Sequence, residues 1–184
     1  FAHLDTQTPA TPETIYSICS ISKLFTSVAV MQLRDQGKLR LDDPVSEHLS
    51  WLDIEDPYPR SGPMTIRGIL THSAGLPRES DHPYWTGPEF PFPTREEIIE
   101  AVTNQEMLYP SSRYFQYSNL GLTLAGEIVR AVSGRSYQDY VQSEILQPLG
   151  LVSTTPYLPE EKRGGQLATG YGVFPREGER AEMP

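Results

Sequence analysis

The chain has 184 residues, enough for one ordinary domain, and 38% of them are hydrophobic, which permits a core. It carries 24 acidic and 15 basic side chains, a net charge of −9, which argues against nucleic acid or an anionic membrane surface as partner. A single cysteine, Cys19, excludes an intrachain disulfide, no apolar run approaches the roughly 18 residues of a membrane span, and the four histidines show no metal-ligand spacing.

In chain order, residues 1–7 read as the tail of a strand, and residues 8–13, with two prolines, as a loop. Residues 15–18 read as a brief strand or an extended entry to the helix that follows. A helix is then predicted over residues 20–36, with Leu24, Val28 and Met31 at helical spacing and Phe25, Ala29 and Leu33 widening the stripe. A stripe this wide predicts a buried central helix. Gly37 stands where a glycine ends a helix. Asp43 before Pro44 reads as an N-cap with proline at the first helical position, opening a short helix toward Leu49. Thr65 caps a helix carrying Ile66, Ile69 and Leu70, which stops in His72-Ser73-Ala74-Gly75-Leu76-Pro77. Residues 78–93 are a long aromatic loop, either a pocket wall or a surface excursion. Thr94 and Glu97 form a capping box before Ile98, Ile99 and Val102. Residues 107–116 are a loop. A strongly apolar helix follows Tyr117-Ser118-Asn119 and ends at Gly134. Residues 136–147 are an amphipathic helix, 167–174 a strand and 175–184 a solvated tail.

Two short stretches carry chemistry. In Ser20-Ile21-Ser22-Lys23 the Ser and Lys, three residues apart at a helix start, lie on one face. The amine then reaches the hydroxyl, and the helix N-terminus favours negative charge developing there. The plain alternative is that Ser20 is a helix cap. Tyr117 and Asn119 put a phenol and a carboxamide on one side of an extended segment. A phenol near a lysine can shuttle a proton, and an amide can hold a substrate carbonyl or N–H. Taken singly, Tyr117 is a core tyrosine and Asn119 a helix cap. Cys19 reads as a small hydrophobe.

Together with Gly37-Lys38-Leu39, Leu41-Asp42-Asp43-Pro44, Leu70-Thr71-His72-Ser73-Ala74-Gly75-Leu76-Pro77 and Pro148-Leu149-Gly150-Leu151, these stretches resemble the serine beta-lactamase and penicillin-binding-protein superfamily. The branch they look like is the class C beta-lactamase, esterase and DD-peptidase group, with Tyr-x-Asn in place of Ser-Asp-Asn. The resemblance covers nearly the whole chain. It implies an α+β, beta-lactamase-like fold, with a helical subdomain against an antiparallel sheet. It also implies an acyl-transfer serine hydrolase with Ser20 as nucleophile, Lys23 as its proton acceptor, Tyr117 moving protons with Lys23, and Asn119 binding substrate. The Ser20 backbone N–H would be half of an oxyanion hole. His72 lies in a segment that is mainly structural in the family.

The sequence departs from the family in lacking a Lys-Thr-Gly or His-x-Gly motif, whose strand supplies the other oxyanion N–H. Residues 1–184 are therefore expected to be a partial domain dominated by helices, without the N-terminal helix and the C-terminal sheet. Ser111-Ser112 stands where a glycine turn is usual. The implied substrate is a small-molecule or peptide acyl compound: an ester, a beta-lactam or a peptide amide, with esterase or general hydrolase ranked first. The acidic loop and its aromatic residues suit a neutral or cationic acyl substrate. A second chain or segment carrying the missing sheet is the one further partner implied. No cofactor and no metal are expected, and localisation stays open between the cytoplasm and the periplasm or exterior. The rival reading is a non-catalytic binding or regulatory domain that kept the fold.

Overall fold

The computed structural model describes residues 1–81, 93–157, 159–162, 165–171 and 182–183. Most of the aromatic loop, with Tyr84, Trp85, Phe90 and Phe92, lies outside the described residues. Six α-helices are formed among them: α1 (Ser22–Asp35), α2 (Val45–His48), α3 (Ile66–Leu70), α4 (Arg95–Thr103), α5 (Asn119–Ser133) and α6 (Tyr137–Val141). A two-residue antiparallel pair, β1 (Gly170–Tyr171) with β2 (Glu182–Met183), is the sheet among the described residues.

The core is organised on α5, whose Leu120, Leu122, Leu124, Ala125, Ile128 and Val129 are buried. It packs against α1, α3 and α6, which contribute Ala29, Val30 and Leu33, Ile66 and Ile69, and Tyr140 and Val141. The central buried helix is thus α5 and not α1, a correction to the sequence reading. Leu24 and Val28 of the predicted core stripe are 65% and 45% exposed, and Ile21 before them is 57% exposed. The reason is that α1 is apolar around most of its circumference, and α5 and α6 cover only the side of Ala29, Val30 and Leu33. A hydroxyl pair, Thr26 Oγ1 and Tyr137 Oη at 2.8 Å, ties α1 to α6.

Local signals place most boundaries. The Thr65 side chain accepts the Gly68 N–H. Both reciprocal bonds of the Thr94/Glu97 capping box are made. Gly134 ends α5 with φ 70°, a left-handed conformation that costs glycine little. Asp43 is not the cap of α2; Pro44 takes that position. The Asp43 carboxylate instead accepts the Arg40 N–H at 2.7 Å and meets His48 Nε2 at 3.1 Å. The predicted last helix divides into α6 and a π-helical turn over Gln142–Leu146.

The N-terminal segment is not a regular strand. Residues 4–7 turn back on themselves, leaving an isolated His3–Thr8 bridge. Its backbone is paired instead with the far end of the chain. Ala2 O accepts the Thr169 N–H, and Ile15 bonds Gln166 and Ala168 from both of its backbone groups. Part of the predicted tail, residues 182–183, is strand.

Candidate active site

Ser20 stands two residues before α1 begins. Cys19–Ile21 form a 3₁₀ turn that runs into α1, and Ser20 makes no side-chain cap. The cap alternative for Ser20 is thereby removed. No backbone carbonyl among the described residues accepts the Ser20 N–H, as expected in the first turn of a helix. Cys19, just before it, holds φ 45°, in the left-handed region. This bend turns the extended residues before it into the helix and leaves Ser20 exposed.

Three of the four predicted residues converge. Lys23 Nζ donates to Ser20 Oγ at 3.1 Å, one turn along the helix. Tyr117 Oη stands 2.8 Å from the same Ser20 oxygen, from 97 positions away. The Lys23 ammonium also lies 5.0 Å from the centroid of the Tyr117 ring, and the Arg78 guanidinium lies at the same distance from it. The nearby Lys23 ammonium, and then the Ser20 hydroxyl, hold the Tyr117 phenol below its ordinary value, because each stabilises the phenolate.

Asn119 is held differently. Ser118, not Asn119, is the N-cap of α5: its Oγ accepts the Gly121 N–H at 2.9 Å and donates to Pro77 O at 2.6 Å. Asn119 is the first helical residue, and its Nδ2 donates to Glu79 Oε1 at 2.5 Å. Among the described residues its side chain makes no hydrogen bond to Ser20, Lys23 or Tyr117. The amide is therefore oriented by a carboxylate, which also lies 3.4 Å from the Arg78 guanidinium.

Sequence reasoning left three neighbours of this site without a role: His72, Arg78 and Glu79. His72 stacks on Tyr117 with ring centroids 4.5 Å apart. Burial, and then the Lys23 charge, push its imidazole below the ordinary histidine value. The signal available was the segment 70–77 itself, a run of Thr, Ser and Gly that stops a helix while offering backbone groups to a distant loop. Leu108 and Tyr109 donate to Gly75 O, Ser112 to Ser73 O and Gln116 to His72 O. This loop leads directly into Tyr117. Ser112 within it holds φ 61°, the left-handed turn for which glycine is the usual choice.

The comparisons agree with this fold. The Beta-lactamase family model matches residues 1–183, and the chain belongs to that family, within the serine beta-lactamase and penicillin-binding-protein superfamily. Beta-lactamase-like protein 2 of Dictyostelium discoideum is 33% identical over 168 residues, 91% of this chain and 30% of its own length. The D-alanyl-D-alanine-carboxypeptidase/endopeptidase AmpH of Escherichia coli K12 is 31% identical over 147 residues, 80% of this chain and 38% of its own length. The octameric penicillin-binding protein homologue from Pyrococcus abyssi superposes over 100% of this chain and 42% of its own, with a TM-score of 0.84 and 34% identity. The fold is thus beta-lactamase-like, and the chain spans less than two fifths of the length of these two curated relatives.

Proposed function

We propose that the protein is an acyl-transfer serine hydrolase whose nucleophile is Ser20. The observation that carries this reading is the pair of short contacts on one oxygen: Lys23 Nζ at 3.1 Å and Tyr117 Oη at 2.8 Å from Ser20 Oγ. Lys23, as a donor to Oγ, leaves the hydroxyl proton free to point at Tyr117. That same ammonium stabilises the phenolate and lowers the phenol below its ordinary value, which favours Tyr117 as the group that accepts the proton. Tyr117 is then the immediate general base, and Lys23 sets its charge and steadies Oγ.

Ser20 Oγ attacks the acyl carbon as its proton passes to Tyr117 Oη. The tetrahedral oxyanion forms near the Ser20 N–H. As the intermediate collapses, the bond to the leaving group breaks, and Tyr117 returns the proton to the departing alcohol or amine. Water repeats the exchange on the acyl-enzyme and frees Ser20. General base catalysis of this kind contributes about 10²- to 10⁴-fold, and one oxyanion donor about 3 kcal/mol. Asn119, aligned by Glu79, faces the acyl side chain.

The substrate class is an ester, a beta-lactam or a peptide amide, since all three offer the carbonyl that this chemistry needs. Likeness to a D-alanyl-D-alanine carboxypeptidase supports the peptide end of that range. In this reading residues 1–184 are the part of the domain that holds nucleophile and base, and the second oxyanion N–H belongs to the sheet of the longer relatives.

The test is labelling with a fluorophosphonate and with a fluorescent penicillin, followed by peptide mapping. An adduct on Ser20, lost in Ser20→Ala, is the expected result. Labelling that maps elsewhere and survives Ser20→Ala refutes the assignment.

A further inference from the structure

His72 is bonded to the chain on both sides of Tyr117. Its carbonyl oxygen accepts the Gln116 N–H at 2.7 Å. Its Nδ1 accepts the Ser118 N–H at 3.1 Å. Its ring lies against the Tyr117 ring, tilted by 34°, with Phe115 edge-on at 5.8 Å on the same imidazole. The residue holds φ 56°, a backbone state that costs a non-glycine residue about 1–3 kcal/mol and that persists only where its surroundings impose it. Here the surroundings are the end of α3, where the His72 N–H bonds Ile69 O, and the strand-like approach to Tyr117.

From this geometry we infer that His72 is the positioning residue of Tyr117: it clamps the backbone before and after the phenol, fixes the ring over Ser20, and does so only as the neutral imidazole. The inference rests on the acylation reading above and gives it a pH dependence. The chemistry of the clamp is simple. A nitrogen that accepts a hydrogen bond carries no proton, so Nδ1 is bare and Nε2 carries the hydrogen. Protonating His72 turns Nδ1 into a donor facing the Ser118 donor, and the clamp opens on the side next to Asn119.

Charge adds to the same effect. Lys23 from α1 and Arg78 from the segment after α3 already lie 5.0 Å from the Tyr117 ring, with the Glu79 carboxylate beside Arg78. An imidazolium stacked on that ring would be a third cation, and repulsion from Lys23 and Arg78 would drive it off the ring and loosen the clamp. It would leave Ser20 Oγ without an aligned acceptor, because phenol placement within about 1 Å is worth about 100-fold in rate.

The experiment is the rate of Ser20 labelling by a fluorophosphonate, followed from about pH 5 to about pH 9, in the protein and in His72→Asn and His72→Ala. In the acylation reading the Tyr117 phenol must lose its proton to act as base, which gives log rate a slope of about one against pH. The clamp adds a second proton, so the slope steepens to about two below the titration of His72. His72→Asn offers an amide oxygen near the Nδ1 position and cannot titrate; it is expected within about ten-fold of the parent rate with a slope of about one throughout. His72→Ala is expected about 10- to 100-fold slower, again with a slope of about one. A purely structural histidine would lower the rate in the variants without changing the shape of the profile.

Nitrogen NMR of the His72 ring supplies a readout independent of reaction, with Nδ1 expected bare and Nε2 protonated at neutral pH. A parent slope of one across the range, a second slope surviving in His72→Asn, or a protonated Nδ1 overturns the proposal. Failure of Ser20 to label in the parent protein refutes the acylation reading instead, and the NMR result then decides the clamp by itself.

Discussion

Gly75→Ala is expected to be among the most disruptive single-methyl changes in the protein. Gly75 holds φ 82°, and a Cβ there would overlap the Tyr109 carbonyl oxygen and meet Met107 Cε and the Tyr109 carbonyl carbon at 3.1 Å. The left-handed backbone alone costs a residue with a Cβ about 1–2 kcal/mol. Relieving the overlap pushes residues 107–109 away, and the two bonds that Leu108 and Tyr109 donate to Gly75 O stretch with them. Each is worth about 0.5–1.5 kcal/mol, so the total is about 2–5 kcal/mol. Gly134→Ala is the control. It has the same sign of φ, at 70°, and nothing within 4 Å of the added carbon. It therefore loses only the backbone part, about 1–2 kcal/mol. The gain from restricting the unfolded chain is common to both and cancels in the comparison. In a domain of this size each kcal/mol lowers the melting temperature by about 2–4 °C, so thermal unfolding followed by circular dichroism separates the two variants clearly. Equal losses for Gly75→Ala and Gly134→Ala would refute the close approach of the 72–77 turn to residues 107–109. The same displacement moves the start of Tyr117's segment, so Ser20 labelling should fall in Gly75→Ala and hold in Gly134→Ala.

Tyr117→Phe should lower Ser20 labelling by about 10²- to 10⁴-fold with little change in melting temperature, since the phenol ring and its stacking remain. Ultraviolet titration of the tyrosines should show one phenol ionising below the ordinary range, absent in Tyr117→Phe and shifted upward in Lys23→Met, because the ammonium is the first cause of the lowering. Ser118→Ala removes the N-cap of α5 and the donor to Pro77 O together, and a loss of about 2–3 kcal/mol in urea unfolding is expected. Stability should rise with pH in the window just below the ordinary histidine value. The folded state disfavours protonated His72, so the unfolded state binds more protons there; the contribution is full above about pH 6.5 and is lost as pH falls through the lower folded value. His72→Asn should flatten that slope in unfolding experiments run at stepped pH.

What was legible in the sequence is what local chemistry decides. Thr65, the Thr94/Glu97 box and Gly134 set helix ends through bonds or conformations within three or four residues, and each stands where the pattern put it. The Ser20–Lys23 pairing is of the same kind. Tyr117 was legible only as a motif, because its approach to Ser20 bridges 97 positions. The errors have the opposite character. Leu24 and Val28 read as core because periodicity registers that a helix has an apolar side, not which side its neighbours cover. Asp43 lost the N-cap to a competing bond with Arg40 and His48. His72 went unassigned because its partner, the Ser118 N–H, is 46 residues away and carries no side-chain signal at all.

The pairing of the N-terminal segment with residues 166–171 has a kinetic meaning. Leu4 donates to the Tyr171 hydroxyl across 167 positions. Closing a loop of that length costs about 4.5 kcal/mol of chain entropy before any contact repays it. The Ile15 backbone bonds made at that closure lie only five residues before Ser20. Ser20, the proposed nucleophile, therefore stands directly after a closure that only the far end of the described chain can make. Loosening of residues 166–169, by a cut or by local opening, should silence Ser20 while the α1–α5–α6 core stays folded.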